Sequence, residues 1–160
     1  MKIYLGADHA GFELKEKLKS YLTDLGHDVE DKGAFSFVSD DDYPDFAMPV
    51  AEGVSSDKES LGIVLGGSGQ GEAMVANRVK GVRAIVFYGK MAPQKEIDIT
   101  GATSIDEFEV VKLGRLHDNA NILSLGARFI IEDEAMNAIK IFLDTPFSNE
   151  ERHIRRIGKY

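Results

Sequence analysis

Leu61-Gly-Ile-Val-Leu65 is apolar from end to end, and a short run of that kind suits a strand covered on both faces. Related runs at Lys2–Gly6, His27–Asp31, Arg83–Phe87 and Asn121–Ser124 are separated by stretches with helical spacing. Phe12, Leu14, Leu18, Tyr21, Leu22 and Leu25 fall at mostly helical intervals, and Gly26 stands at the stop. Pro44 opens a second helix over Tyr43–Gly53, where its missing N–H costs little. Further helices are predicted over Glu72–Val79, Glu132–Leu143 and Ser148–Ile157, the last with Ser148 as N-cap and Glu151 at the capping-box distance. This alternation predicts an α/β fold, a five-stranded parallel sheet covered by helices on both faces. Ligands of such sheets bind beyond the carboxyl ends of the strands. Gly89 to Leu113 fits the scheme least: with Pro93, Gly101 and a helical run from Ser104, it reads as an elaborated connection between the fourth and fifth strands.

The 160 residues suit one domain, 1–160, and no repeat or linker divides them. A net charge of −8 argues against general affinity for nucleic acid or anionic membrane. With no cysteine, thiolate nucleophiles and cysteine metal sites are excluded. His9, His27, His117 and His153 show no metal-ligand spacing, so no metal and no cofactor is expected. No apolar run approaches the ~20 residues of a membrane span, and Met1 leads straight into a strand-like segment, so a cytoplasmic protein is expected.

Two glycine-bearing loops fall at carboxyl ends of strands, Gly6-Ala-Asp-His-Ala-Gly11 and Gly66-Gly-Ser-Gly-Gln-Gly71. The second lets the backbone approach a ligand closely and aims several N–H groups at one spot, as a phosphate or a reaction oxyanion requires. It fails the dinucleotide fingerprint, because Glu72 stands where the third glycine belongs. The first fails the P-loop pattern, because Phe12-Glu13 follows Gly11. Glu72 reads either as compensation for a helix dipole or as a base beside an oxyanion site. Asp8 and His9 read either as a cap and a surface residue or as titratable groups in the crevice.

Arg152, Arg155, Arg156 and Lys159 make the tail basic, which suits a solvated helix end or a phosphate clamp. His117 and Arg128 flank the fifth strand and fit either reading. The acidic stretch Ser39–Asp45 lacks the glycine and terminal glutamate of a calcium loop and reads as solvated, with Tyr43 able to face the crevice.

Taken together, Gly6–Phe12, Asp42-Tyr-Pro44, Gly62–Glu72, Ala76-Asn77 and Gly81–Ala84 closely resemble ribose-5-phosphate isomerase type B, a family that includes galactose-6-phosphate isomerase subunits. The resemblance runs from Lys2 to about Ile157. It implies a metal-independent aldose–ketose isomerase with a Rossmann-like three-layer α/β/α sandwich. A C-terminal helix would reach a partner subunit, in a homodimer or a larger tetramer with shared active sites. One branch of the family has a cysteine base at the position of Gly66; this chain resembles the other, whose glutamate matches Glu72. By the same resemblance, Gly67, Ser68, Gly69 and Gly71 hold an enediolate and Asp8 moves a proton between substrate oxygens. His117 from the neighbouring subunit helps open the sugar ring, and His9, Arg128, Arg152 and Arg156 bind phosphate.

Two departures stand out. Asp118 replaces the family's asparagine and is acceptor-only when ionised, and the connection before His117 is longer than the family pattern. The implied substrate is ribose 5-phosphate. The alternatives are a six-carbon sugar phosphate, such as allose or galactose 6-phosphate, and a sugar-phosphate-binding module without turnover.

Overall fold

A computed structural model describes residues 1–160. Strand β1 (Lys2–Ala7) leads to α1 (Phe12–Asp24), β2 (Asp28–Asp31), α2 (Pro44–Ser56), β3 (Leu61–Gly66) and α3 (Gln70–Ala76). The second half comprises β4 (Ala84–Phe87), α4 (Glu109–Asp118), β5 (Ile122–Gly126), α5 (Glu132–Asp144) and α6 (Glu151–Ile157). All five strands are parallel in the order β2-β1-β3-β5-β4. The chain runs outward to β2 and then crosses to the other side of β1, so β1 and β3 flank the point where strand order reverses. A crevice forms there at the carboxyl edge.

Alternation along β1 explains the layers. Ile3, Leu5 and Ala7 join Leu18 and Leu22 of α1, Val111 of α4 and Ile139 and Phe142 of α5 in one core. Tyr4 faces the other way, with Val50, Ala51 and Val54 of α2 and Ala76 of α3. Every residue of β3 is buried, as its unbroken apolar run requires. Lys15 is fully buried on α1, and both carboxylate oxygens of Asp31 lie 2.9 Å from its Nζ, which clamps α1 to β2.

Three predicted boundaries are corrected. Helix α3 starts at Gln70, two residues before Glu72, because Gly69 at φ +75° turns the chain into the helix early, and it ends at Ala76, short of Val79, where the Asn77 side chain pairs with the Ala84 main chain. The run from Ser104 is not helical until Glu109: Asp106 Oδ1 accepts the Phe108 N–H and holds a turn there instead. Helix α6 begins at Glu151 with Glu150 as N-cap, because Asn149 at φ +55° breaks the chain away from Ser148.

The long connection leaves β4 and returns to α4 without helix or strand. The Met91 N–H donates to Glu107 O and pins its base, and the Ile97 N–H donates to Ala102 O and turns its tip. Asp98 in that tip lies 3.8 Å from Arg152 Nη2 on α6.

Candidate active site

The loops after β1 and β3 meet because their strands are neighbours in the sheet. They enclose a cavity of about 400 Å³ lined by Asp8, His9, Tyr43, Gly67, Ser68, Gly71, Glu72 and Arg128. Phe129, which the sequence did not single out, closes its rim.

Gly67, Ser68, Gly69 and Gly71 have main-chain N–H groups with no main-chain acceptor in the chain. Their carbonyls are occupied where it matters for shape. Gly66 O accepts the Ala127 N–H at 2.8 Å, Gly67 O accepts the Arg128 N–H at 3.2 Å, and Ser124 Oγ donates to Gly69 O at 2.6 Å. The loop is thus held from behind by β5 and its following turn, with donors left over. Ser68 contributes its backbone; its Oγ accepts the Gln70 N–H at a long 3.4 Å. Tyr43 is in close contact with Gly71, where a Cβ would sit 2.8 Å from its ring.

Ser124 is fully buried and 55 residues from its partner, and nothing local in the sequence marks it. Ser124→Ala is expected to cost ~1 kcal/mol, since the buried Gly69 carbonyl loses the shorter of its two donors and keeps the Ala73 N–H at 3.2 Å. Thermal denaturation reads that loss, and steady-state kinetics on the same variant should show a lower kcat from the loosened loop.

Glu72 is 4% exposed in the first turn of α3, and its carboxylate folds back over Gly66. A Cβ on Gly66 would stand 1.6 Å from its Oε1. Burial, and secondarily the Asp8 charge, push the Glu72 carboxyl above its ordinary value, while its own main-chain N–H pulls the other way. Asp8, 6% exposed, accepts the N–H groups of Ala10 at 2.9 Å and Gly11 at 3.2 Å through Oδ1, which leaves Oδ2 for a ligand. Asp8 thus braces the turn before α1, whose N-cap is Gly11 with no side-chain cap, and it also lines the crevice.

His9 is gripped twice by Asp41, whose Oδ1 accepts the His9 N–H at 2.9 Å and lies 2.7 Å from Nδ1. That orients the ring and leaves Nε2 for the cavity. Asp41 belongs to the acidic stretch predicted to be solvated, so one carboxylate of that stretch is instead tied to a residue that lines the cavity. Asp8, His9 and Asp41 also offer ligand atoms within 4.8 Å of one another, a cluster with metal-ligand composition that sequence spacing did not show. The two His9–Asp41 bonds already occupy one of those oxygens.

His117, Asp118, Arg152 and Arg156 do not enter this crevice in the same chain. Helix α4 runs back along the sheet, so His117 at its end lies beside the amino end of β5, opposite Glu72. His117 and Asp118 end α4, and Arg152 and Arg156 lie on α6, which packs against it. Arg152 Nε lies 2.8 Å from Glu150, and the His117 and His153 ring centroids are 4.2 Å apart. Burial first, then His153, lowers the His117 imidazole below its ordinary value.

Comparison with known proteins decides what this crevice belongs to. A family model described as Ribose/Galactose Isomerase matches residues 3–95 and 89–160. This chain belongs to that family. The two matched stretches overlap at residues 89–95, inside the long connection. Ribose-5-phosphate isomerase B of Mycolicibacterium paratuberculosis is 41% identical over 157 residues, covering 98% of this chain and 87% of that protein. The crystal structure of ribose-5-phosphate isomerase B from Mycoplasma genitalium with bound ribulose-5-phosphate superposes with a TM-score of 0.84 at 35% identity, covering 99% of this chain and 92% of that one. The Thermotoga maritima ribose 5-phosphate isomerase structure gives 0.82 at 40% identity, covering 99% and 95%. The family's fold is the three-layer α/β/α architecture described above. No helix of the chain is long and apolar enough to cross a membrane.

Proposed function

We propose that this member of the Ribose/Galactose Isomerase family interconverts ribose 5-phosphate and ribulose 5-phosphate, with Glu72 carrying the proton. The observation that carries the reading is a buried carboxylate folded over Gly66 beside four amides without main-chain acceptors.

A hydrogen α to a carbonyl is weakly acidic, so its removal needs a base and a place for the negative charge at once. With the open-chain aldose in the crevice, Glu72 takes the C2 hydrogen as a proton. The electron pair forms the C1–C2 double bond and charge moves to O1, where the loop amides donate to it. The free Oδ2 of Asp8 passes a proton between O2 and O1, and Glu72 returns its proton to C1, giving the ketose. Phosphate at the far end of the sugar holds the reacting carbons in register, so binding energy remote from the chemistry lowers the barrier. His9 and Arg128 supply charge for that end from this chain.

His117, Arg152 and Arg156 complete the site from a second copy, in a homodimer whose two crevices are each built by both chains. Their distance from Glu72 within one chain supports this reading, because a ring-opening group and a phosphate clamp have no substrate of their own at the amino edge. Glu72→Gln and His117→Asn should each be nearly inactive alone. Co-expressed, they should recover activity on ribose 5-phosphate, since mixed dimers hold one site with both residues intact. A mixture no more active than its parents overturns the shared site, and an inactive wild type overturns the reaction.

A further inference from the structure

His153 is 1% exposed and has no part in the reaction as described. Its Nδ1 lies 2.8 Å from Ser148 Oγ, which also receives the Glu150 N–H at 3.3 Å. The Ser148 N–H in turn donates to Leu116 O at 3.1 Å, beside His117. The serine thus ties the start of α6 to the end of α4 and seats the His153 ring between them. That ring lies against His117, with centroids 4.2 Å apart and planes at 40°. A tail helix needs only an apolar residue to pack here. A histidine held by a dedicated hydroxyl and laid on a second histidine fixes an orientation instead.

We propose that His153 is a positioning residue for ring opening, seated by Ser148 and holding the His117 imidazole in the orientation that meets the sugar's C1 hydroxyl. The proposal rests on the reading that His117 opens the ring in the partner's crevice. Ring opening removes a proton from O1, forms the C1=O bond from that electron pair and breaks the bond from C1 to the ring oxygen. His117 takes the O1 proton and returns it to the ring oxygen, so the step balances without another reagent. For this His117 must start neutral. His153 and Arg152 on α6 face it as sources of positive charge, while Asp118 on its own helix and Asp98 on the long connection oppose them. Burial and the His153 contact prevail, and the imidazole sits below its ordinary value.

The test separates ring opening from proton transfer at carbon. Ribose 5-phosphate is a ring, whereas ribulose 5-phosphate stays open, because the hydroxyl that would close a five-membered ring carries the phosphate. His153→Phe should lower kcat on ribose 5-phosphate by about tenfold or more. Exchange of the C1 hydrogen of ribulose 5-phosphate in deuterated water, followed by NMR, should stay within about twofold of wild type, because that step uses Glu72 and the loop amides but no ring opening. Ser148→Ala, a smaller perturbation, should show the same split to a lesser degree. In His153→Phe the acid limb of the ribose 5-phosphate profile should move to higher pH, because the group that, after burial, lowers His117 most is gone. Equal loss of isomerisation and exchange, or no loss of either, in folded Ser148→Ala and His153→Phe overturns the proposal. His117→Asn is the control: if it leaves ring opening intact, the underlying reading fails, whatever His153 does.

Discussion

Glu72→Gln is expected to lower kcat/KM on ribose 5-phosphate by about 10³-fold or more while leaving the fold intact. Glutamine keeps the shape of the side chain and its place over Gly66, but it cannot accept a proton. The stability effect runs opposite to the activity effect. Burial, with the Asp8 charge behind it, raises the carboxyl above its ordinary value, so the folded chain holds this proton to higher pH than the unfolded chain. The stability that the protonated form contributes is complete below the unfolded value and is lost as pH rises through the folded one. At pH 7 the ionised carboxylate is therefore a burden, and the thermal midpoint of Glu72→Gln should equal or exceed that of the wild type. Near pH 4 the advantage should shrink. The same direction acts on proton transfer at carbon: exchange of the C1 hydrogen of ribulose 5-phosphate should have an acid limb above the ordinary carboxylate range, since only ionised Glu72 can take that proton. Turnover close to wild type in the variant removes Glu72 from its role.

Gly66→Ala is the second large effect, and it acts on the same carboxylate from the other side. The added methyl would meet Glu72 Oε1 at 1.6 Å and Cδ at 2.1 Å, and no backbone atom is among its nearest neighbours. The cheapest relief is rotation of the glutamate, so the fold should survive with a small change in thermal midpoint while the base leaves the amides. Activity should fall by about 10²-fold or more, with KM for ribose 5-phosphate much less affected. Gly69→Ala would behave differently, because φ +75° there strains any side chain, and a Cβ would lie 3.0 Å from the Leu125 carbonyl carbon. A stable, active Gly66→Ala would show that the glutamate works from elsewhere. Any side chain at position 66 would compete with the Glu72 carboxylate for one space.

What the residues determined alone was local. The apolar run Leu61–Leu65 specified a strand buried on both faces, and alternation with helical spacing specified a parallel sheet. Asp8, His9 and the Gly66–Glu72 run were legible as site residues because a strand's carboxyl end and the loop after it are adjacent in the chain. The tertiary structure alone decided what depends on residues distant in sequence. The order β2-β1-β3-β5-β4 brings the two loops together, and no local pattern encodes which strands become neighbours. Asp41 grips His9 across 32 residues, and Ser124 holds Gly69 across 55. Single polar side chains carry no periodicity, so their partners emerge only when packing sets the distances. Ser148 reads as a helix cap in one dimension, yet Asn149 turns the chain and the hydroxyl goes to His153 instead. Local spacing fixes backbone conformation within a few residues, whereas hydrogen bonds between elements are set by how the sheet and its helices pack.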